Sequence, residues 1–135
     1  MMAARLVLAA VLLVSLGGCE STSLAPSDPE PEAQQTPFER DLAPKLAGCL
    51  GCHGGSSPEA GLVLSDVQAL VGVPSAQLDM ALIEPGNHLQ SYLWHKVAGT
   101  HGIAGGLGRR MPVSHSWSEE DIELLARWID LGAPR

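Results

Sequence analysis

Hydrophobic and polar positions divide the chain into an apolar start, a polar stretch, and a longer part where apolar residues recur at helical spacing. Leu6 to Leu16 is apolar apart from Ser15. Glu20 to Gln35 is rich in Ser, Pro, Glu and Ala, with almost no large apolar residue, and reads as a disordered tether. Beyond it, Leu42, Leu46 and Cys49 share one face of a helix predicted over about 41–50. Thr36-Pro37-Phe38-Glu39 has the form of a capping box with Pro at the first helical position. A helix started there would carry Pro44 in its interior, at a cost of about 3 kcal/mol. A second start at Asp41 puts Pro44 in the first turn and is the favoured reading.

Gly54-Gly55-Ser56-Ser57-Pro58 must be a loop. Leu62, Leu64, Val67, Leu70 and Val71 follow as a short apolar segment around a helix predicted from Ser65, and Met80, Leu82 and Ile83 read as core. Glu84-Pro85-Gly86 stops what precedes it, and Asn87 can cap a helix from His88 to Val97 with Leu89, Tyr92, Leu93 and Val97 on one stripe. Trp94 lies off that stripe and covers either another element or a cofactor edge; His95 points away from it, towards solvent. Residues 99–116 hold five glycines and form a long connection, which in a small domain is usually functional. The last helix is the clearest. Ser118 caps it, three acids fill its first turn, Ile122, Leu125, Trp128 and Ile129 form its stripe, and Gly132 and Pro134 end it. Trp117 and Ile122 stand at staple spacing.

The chemistry concentrates in Cys49-Leu50-Gly51-Cys52-His53, the attachment sequence of c-type haem. The two sulfurs add to the porphyrin vinyl groups as thioethers, and His53 supplies the proximal imidazole. CxxC also serves redox dithiols and zinc sites. A zinc site needs a second pair of ligands and no second Cys pair exists; a thioredoxin-like dithiol would want a βαβ pattern, which is lacking. Pro58 is placed to offer its own or a neighbouring carbonyl to the other nitrogen of His53, or is simply turn punctuation. The glycine-rich connection carries Arg109-Arg110-Met111-Pro112, and a thioether is a soft ligand suited to haem iron. His101, His115 and His95 compete with Met111 for the sixth position, with Met80 as a further thioether. Arg109 and Arg110 either neutralise a propionate, face a partner, or are solvated loop charge.

The apolar start is too short to span a bilayer, which takes about 20 residues, and fits a secretory signal. Leu16-Gly17-Gly18-Cys19 looks like a bacterial lipobox, cleaved before Cys19 and lipidated on its sulfur. The division is then 1–18 signal peptide, 19–36 lipidated cysteine and tether, and 37–135 folded domain. Lipid and haem together account for all 3 cysteines. Loss of residues 1–18 removes one Arg, leaving 7 cations against 15 acids, a net −8. Binding to nucleic acid through phosphates is excluded by that balance; the acids either steer a basic redox partner or are solvated surface. One Phe, one Tyr and three Trp are few rings for a core, and one buried porphyrin would supply the missing bulk.

Taken together, the Cys49–His53 motif, Gly61-Leu62-Val63-Leu64, Pro85-Gly86, Ser91-Tyr92-Leu93, Lys96, Met111-Pro112 and Trp128-Ile129 with Gly132-Ala133 make residues 38–134 resemble a small monohaem cytochrome c domain of exported bacterial lipoproteins. The resemblance implies the all-α cytochrome c fold, with terminal helices crossing beside one covalent haem c, Cys49 and Cys52 carrying the haem, and His53 and Met111 as axial ligands. It implies single-electron transfer to redox partner proteins rather than catalysis, on the periplasmic side of a membrane. Glu20 after the lipidated cysteine slightly favours the outer membrane. The alternatives are a haem enzyme or small-ligand sensor with a labile sixth position, and a subunit of a larger complex. The oligomeric state is not encoded in any of these patterns.

Overall fold

The Thr36 capping box forms. Thr36 Oγ1 accepts the Glu39 N–H at 3.2 Å, and Glu39 Oε2 accepts the Thr36 N–H at 2.9 Å. In this computed structural model, which describes residues 35–135, the chain then winds as a π-helix over Phe38–Leu42 and continues as α1, Ala43–Ala47. The residues read as a signal peptide, Cys19 and nearly all of those read as a tether lie outside the described residues. The predicted start at Asp41 is therefore corrected to the Thr36 cap. The wide π turn, closed by the Ala43 N–H on the Phe38 carbonyl, restarts the ladder so that Pro44 falls in the first turn of α1. There its missing N–H costs little. A turn at Gly48-Cys49 leads into α2, Leu50–His53.

Residues 59–83 supply core without a long helix. Asp66 caps a 3-10 turn over Val67–Leu70 by accepting the Gln68 N–H at 3.2 Å, so the helix predicted from Ser65 is one turn only. Isolated bridges join Val71 to Ile83, Pro74 to Ala81 and Ala81 to Ser91. No strand occurs among the described residues, and the architecture is all-helical.

The helix predicted over His88–Val97 is divided. A 3-10 turn spans His88–Gln90, and α3 spans Tyr92–Ala98. The cause is Ser91, which is fully buried and extended. Its hydroxyl accepts the Glu84 N–H at 2.8 Å and donates to the Asn87 carbonyl at 2.9 Å, pulling the backbone out of the helical path. Asn87 makes no side-chain cap, and Leu89 is exposed although the stripe placed it inside. Tyr92, Leu93 and Val97 are buried as expected.

α4, Glu119–Asp130, follows its prediction closely. Ser118 Oγ accepts the Asp121 N–H at 3.1 Å. The helix closes with Gly132 N–H on the Ile129 carbonyl (2.8 Å) and Ala133 N–H on the Trp128 carbonyl (2.9 Å), a Schellman end that needs the left-handed φ of 97° at Gly132. Leu125, Trp128 and Ile129 join Leu42, Leu46, Ile83, Leu93 and Val97 in one core. The terminal helices meet there. Phe38 and Trp128 rings lie 5.1 Å apart, and Lys45 pairs with Asp121 at 3.0 Å, holding that carboxyl below its ordinary range.

Candidate haem-attachment site

The Cys49–His53 turn is short and tightly wound. The Cys52 and His53 N–H groups both donate to the Cys49 carbonyl, at 3.2 and 2.9 Å. This places both thiols and the imidazole on one turn. Both cysteines are free thiols, Cys49 half-buried and Cys52 exposed. Burial pushes the Cys49 thiol up, and the neighbouring Cys52 charge adds to it. Gly54 is needed directly after the histidine, because a Cβ there would meet the Leu50 carbonyl at 2.7 Å. The chain then returns so that the Leu64 N–H donates to the His53 carbonyl at 2.7 Å.

His53 differs from the other histidines. His88 is held by Asp130, His95 by Thr100 and the Leu89 carbonyl, His101 by the Gly108 carbonyl, and His115 by Ser114. The His53 ring is 9% exposed, and its Nδ1 is occluded with no partner. An unpaired buried Nδ1 costs free energy, and a bond to a metal at Nε2 would not remove that cost; what leaves the ring open to a metal is that Nε2 too has no hydrogen-bond partner among the described residues. Pro58 does not serve it; the Pro58 carbonyl accepts the Gly61 N–H at 3.0 Å. Two thiols and an uncommitted imidazole on one turn are the donor set that a covalent haem requires.

Met111 is placed by α3. Its N–H donates to the Lys96 carbonyl at 2.9 Å, and the side chain is half-buried. Among the described residues no hydrogen bond joins it to the Cys49–His53 turn. The loop before it is gripped at several points. His101 Nε2 meets the Gly108 carbonyl at 3.0 Å, Lys96 Nζ donates to the Leu107 carbonyl at 3.1 Å, and Gln77 Oε1 accepts both the Leu107 N–H (2.9 Å) and the Tyr92 hydroxyl (2.6 Å). Gln77, Tyr92 and Lys96 were not legible as loop anchors, since their partners lie far along the chain. Arg110 donates through Nε to the Val97 carbonyl at 2.9 Å, while Arg109 is exposed.

The competing donors are distributed unequally. His95 is half-buried rather than free in solvent as predicted, because the chain folds back at Gly99 and both its ring nitrogens are engaged. His115 is exposed and Met80 half-buried. His101 is 7% exposed with an occluded, unpartnered Nδ1. Trp94 packs beside α4, next to His88, Ile122 and Ala126, around an open cleft of about 420 Å³. A second cleft of about 340 Å³ is lined by Phe38, Leu46, Leu50, Leu64 and Val67. Neither cleft includes Cys49, Cys52, His53 or Met111, though Leu50 between the two thiols borders the second.

A helical frame with terminal helices packed together and two thiols and a histidine on one turn are features of a c-type cytochrome domain. Residues 49–102 match the family described as Planctomycete cytochrome C, a span that takes in the Cys49–His53 turn and ends before Met111. No curated protein and no solved structure matches the chain. The family match supports a c-type cytochrome domain, implies a covalently bound haem c, and points to haem-based electron transfer in general terms.

Proposed function

We infer that this chain is a lipid-anchored monohaem electron carrier. Cys49 and Cys52 form the two thioether links, His53 is one axial donor and Met111 the other, and Cys19 carries the lipid on the periplasmic side of a membrane, with the outer membrane slightly favoured. When bound, the haem supplies a one-electron couple whose potential the axial pair and burial tune. The chain's own part is to fix the ring through the Cys49–His53 turn, to present an imidazole, and to hold the Met111 loop against α3. The observation that carries the reading is His53, the one histidine of the described residues whose ring nitrogens have no hydrogen-bond partner, directly after two free thiols. Redox proteins are its partners.

The oxidised, haem-loaded protein tests the axial pair. A sulfur-to-iron charge-transfer band that disappears in Met111→Ala is expected. High-spin iron that binds cyanide or carbon monoxide readily in the wild type would instead favour an enzyme or sensor with a labile sixth position. One observation favours a second reading of that position. His101 is buried with an unpartnered Nδ1 and lies inside the matched segment, whereas Met111 lies outside it. Under that reading the wild type has no sulfur-to-iron band, and His101→Ala rather than Met111→Ala changes the iron spectrum.

A further inference from the structure

The acids of this chain are unevenly placed. From Pro85 to Ser118 there is none of the 15 acids, but three of the 8 basic residues, Lys96, Arg109 and Arg110. The middle of that segment also exposes large apolar side chains. Ile103 is 92% and Leu107 74% exposed. Their backbone is nevertheless well fixed. The Ile103 N–H donates to the Thr100 carbonyl at 3.0 Å. Leu107 is held from both sides, its N–H by Gln77 and its carbonyl by Lys96, and His101 closes the loop on Gly108. Several tertiary hydrogen bonds are thus committed to a loop whose apolar side chains still face solvent, four residues ahead of Met111. A loose connection would need no such anchoring, and an apolar surface kept rigid in water marks a contact site.

We propose that the 103–109 loop tip is the docking surface for an electron-transfer partner whose contact face is acidic around an apolar centre. The proposal rests on the reading of Met111 as an axial donor, which puts the loop that carries it next to the haem. Charge complementarity selects the partner. The chain as a whole carries a net negative charge, and the acid-free segment gathers three of its cations, so an acidic partner is repelled least there, even with Asp79 following Leu78, whose side chain lies against Gly105. Arg109 is the exposed cation there, and Ile103 and Leu107 supply the desolvated centre. Attraction at one patch and repulsion over the rest orient the encounter as well as strengthen it. This differs from steering by the acids, which would call for a basic partner.

The test is a titration of the isotopically labelled, haem-loaded protein with poly-L-glutamate at low salt, followed by amide shifts. Shifts should concentrate at Ile103, Leu107 and Arg109 and vanish at about 0.5 M salt. Arg109→Glu should weaken binding about tenfold, and Ile103→Ser with Leu107→Ser about fourfold, the worth of roughly one buried methylene. Shifts spread over α4, no shift at all, an unchanged Arg109→Glu, or poly-L-lysine contacting the loop instead would each overturn the proposal. So would cosedimentation of the Cys19→Ser protein with phosphatidylglycerol vesicles that is lost with Ile103 and Leu107, since the loop would then be a lipid contact. If the exported chain carries no haem, the electron-carrier reading fails by itself, and the titration repeated on that haem-free chain decides whether the loop still binds an acidic, apolar-centred partner.

Discussion

Ile129→Ala is the sharpest test of what holds the fold. Ile129 is 0% exposed and sits in the core with Leu42, Ile83 and Leu125, all at 1% or less. The substitution removes three carbons, worth about 2.4 kcal/mol at roughly 0.8 per methylene. A cavity term adds to this wherever the walls cannot close in. Here the backbone is pinned: the Ile129 carbonyl accepts the Gly86 N–H and the Gly132 N–H, each at 2.8 Å. Collapse is therefore hindered, and a loss of about 3–4 kcal/mol is expected, inside the usual range of about 2–5 for such changes. In a domain of this size that lowers Tm by about 12–30 °C. Urea unfolding of the haem-loaded protein, followed by far-ultraviolet circular dichroism, measures it, with an unchanged m-value. Leu131→Ala, at a position 78% exposed, is the control and should stay within about 0.5 kcal/mol. A loss below about 1 kcal/mol at Ile129 would refute the packing of α4 described here.

Three further outcomes follow from named contacts. Gly106→Ala puts a Cβ 2.6 Å from the Tyr92 hydroxyl, so it should loosen the loop and weaken the proposed sulfur-to-iron band, with helix content retained by circular dichroism; an unaltered band would contradict the anchoring. Gly132→Ala forces a left-handed φ of 97° on a residue with a side chain and should cost about 1–2 kcal/mol in urea unfolding, where Leu131→Ala costs little. The His88 backbone N–H and then its ring lower the Asp130 pKa, so Asp130 stabilises the fold above its unfolded pKa of about 3.9. That contribution is lost as pH falls through the lower folded value; Asp130→Asn should remove this part of the acid dependence in unfolding curves between about pH 5 and 2.

What could be read from the chain alone was what depends on neighbours in sequence. α4 is the clear case, since its cap, acidic first turn, stripe and glycine end all lie within a few residues of one another. The thiols and His53 were equally legible, because their turn is set by a five-residue spacing. Legibility failed where distant partners decide. Ser91 reads as one more helical residue, yet its bonds to Glu84 and Asn87 divide the helix. His95 reads as solvent-facing, yet Thr100 and the Leu89 carbonyl take both its nitrogens once the chain turns at Gly99. At Pro44 the penalty was correctly identified, but the π turn that avoids it was not foreseen. The anchoring of the Met111 loop by Gln77, Tyr92 and Lys96 has no local signature at all.

Covalent attachment of haem at Cys49 and Cys52 is tested most directly by exporting the full chain with haem-attachment machinery and denaturing the product. One haem per chain should survive denaturation, and neither thiol should react with an alkylating agent. A colourless protein in which both Cys49 and Cys52 alkylate would contradict the account.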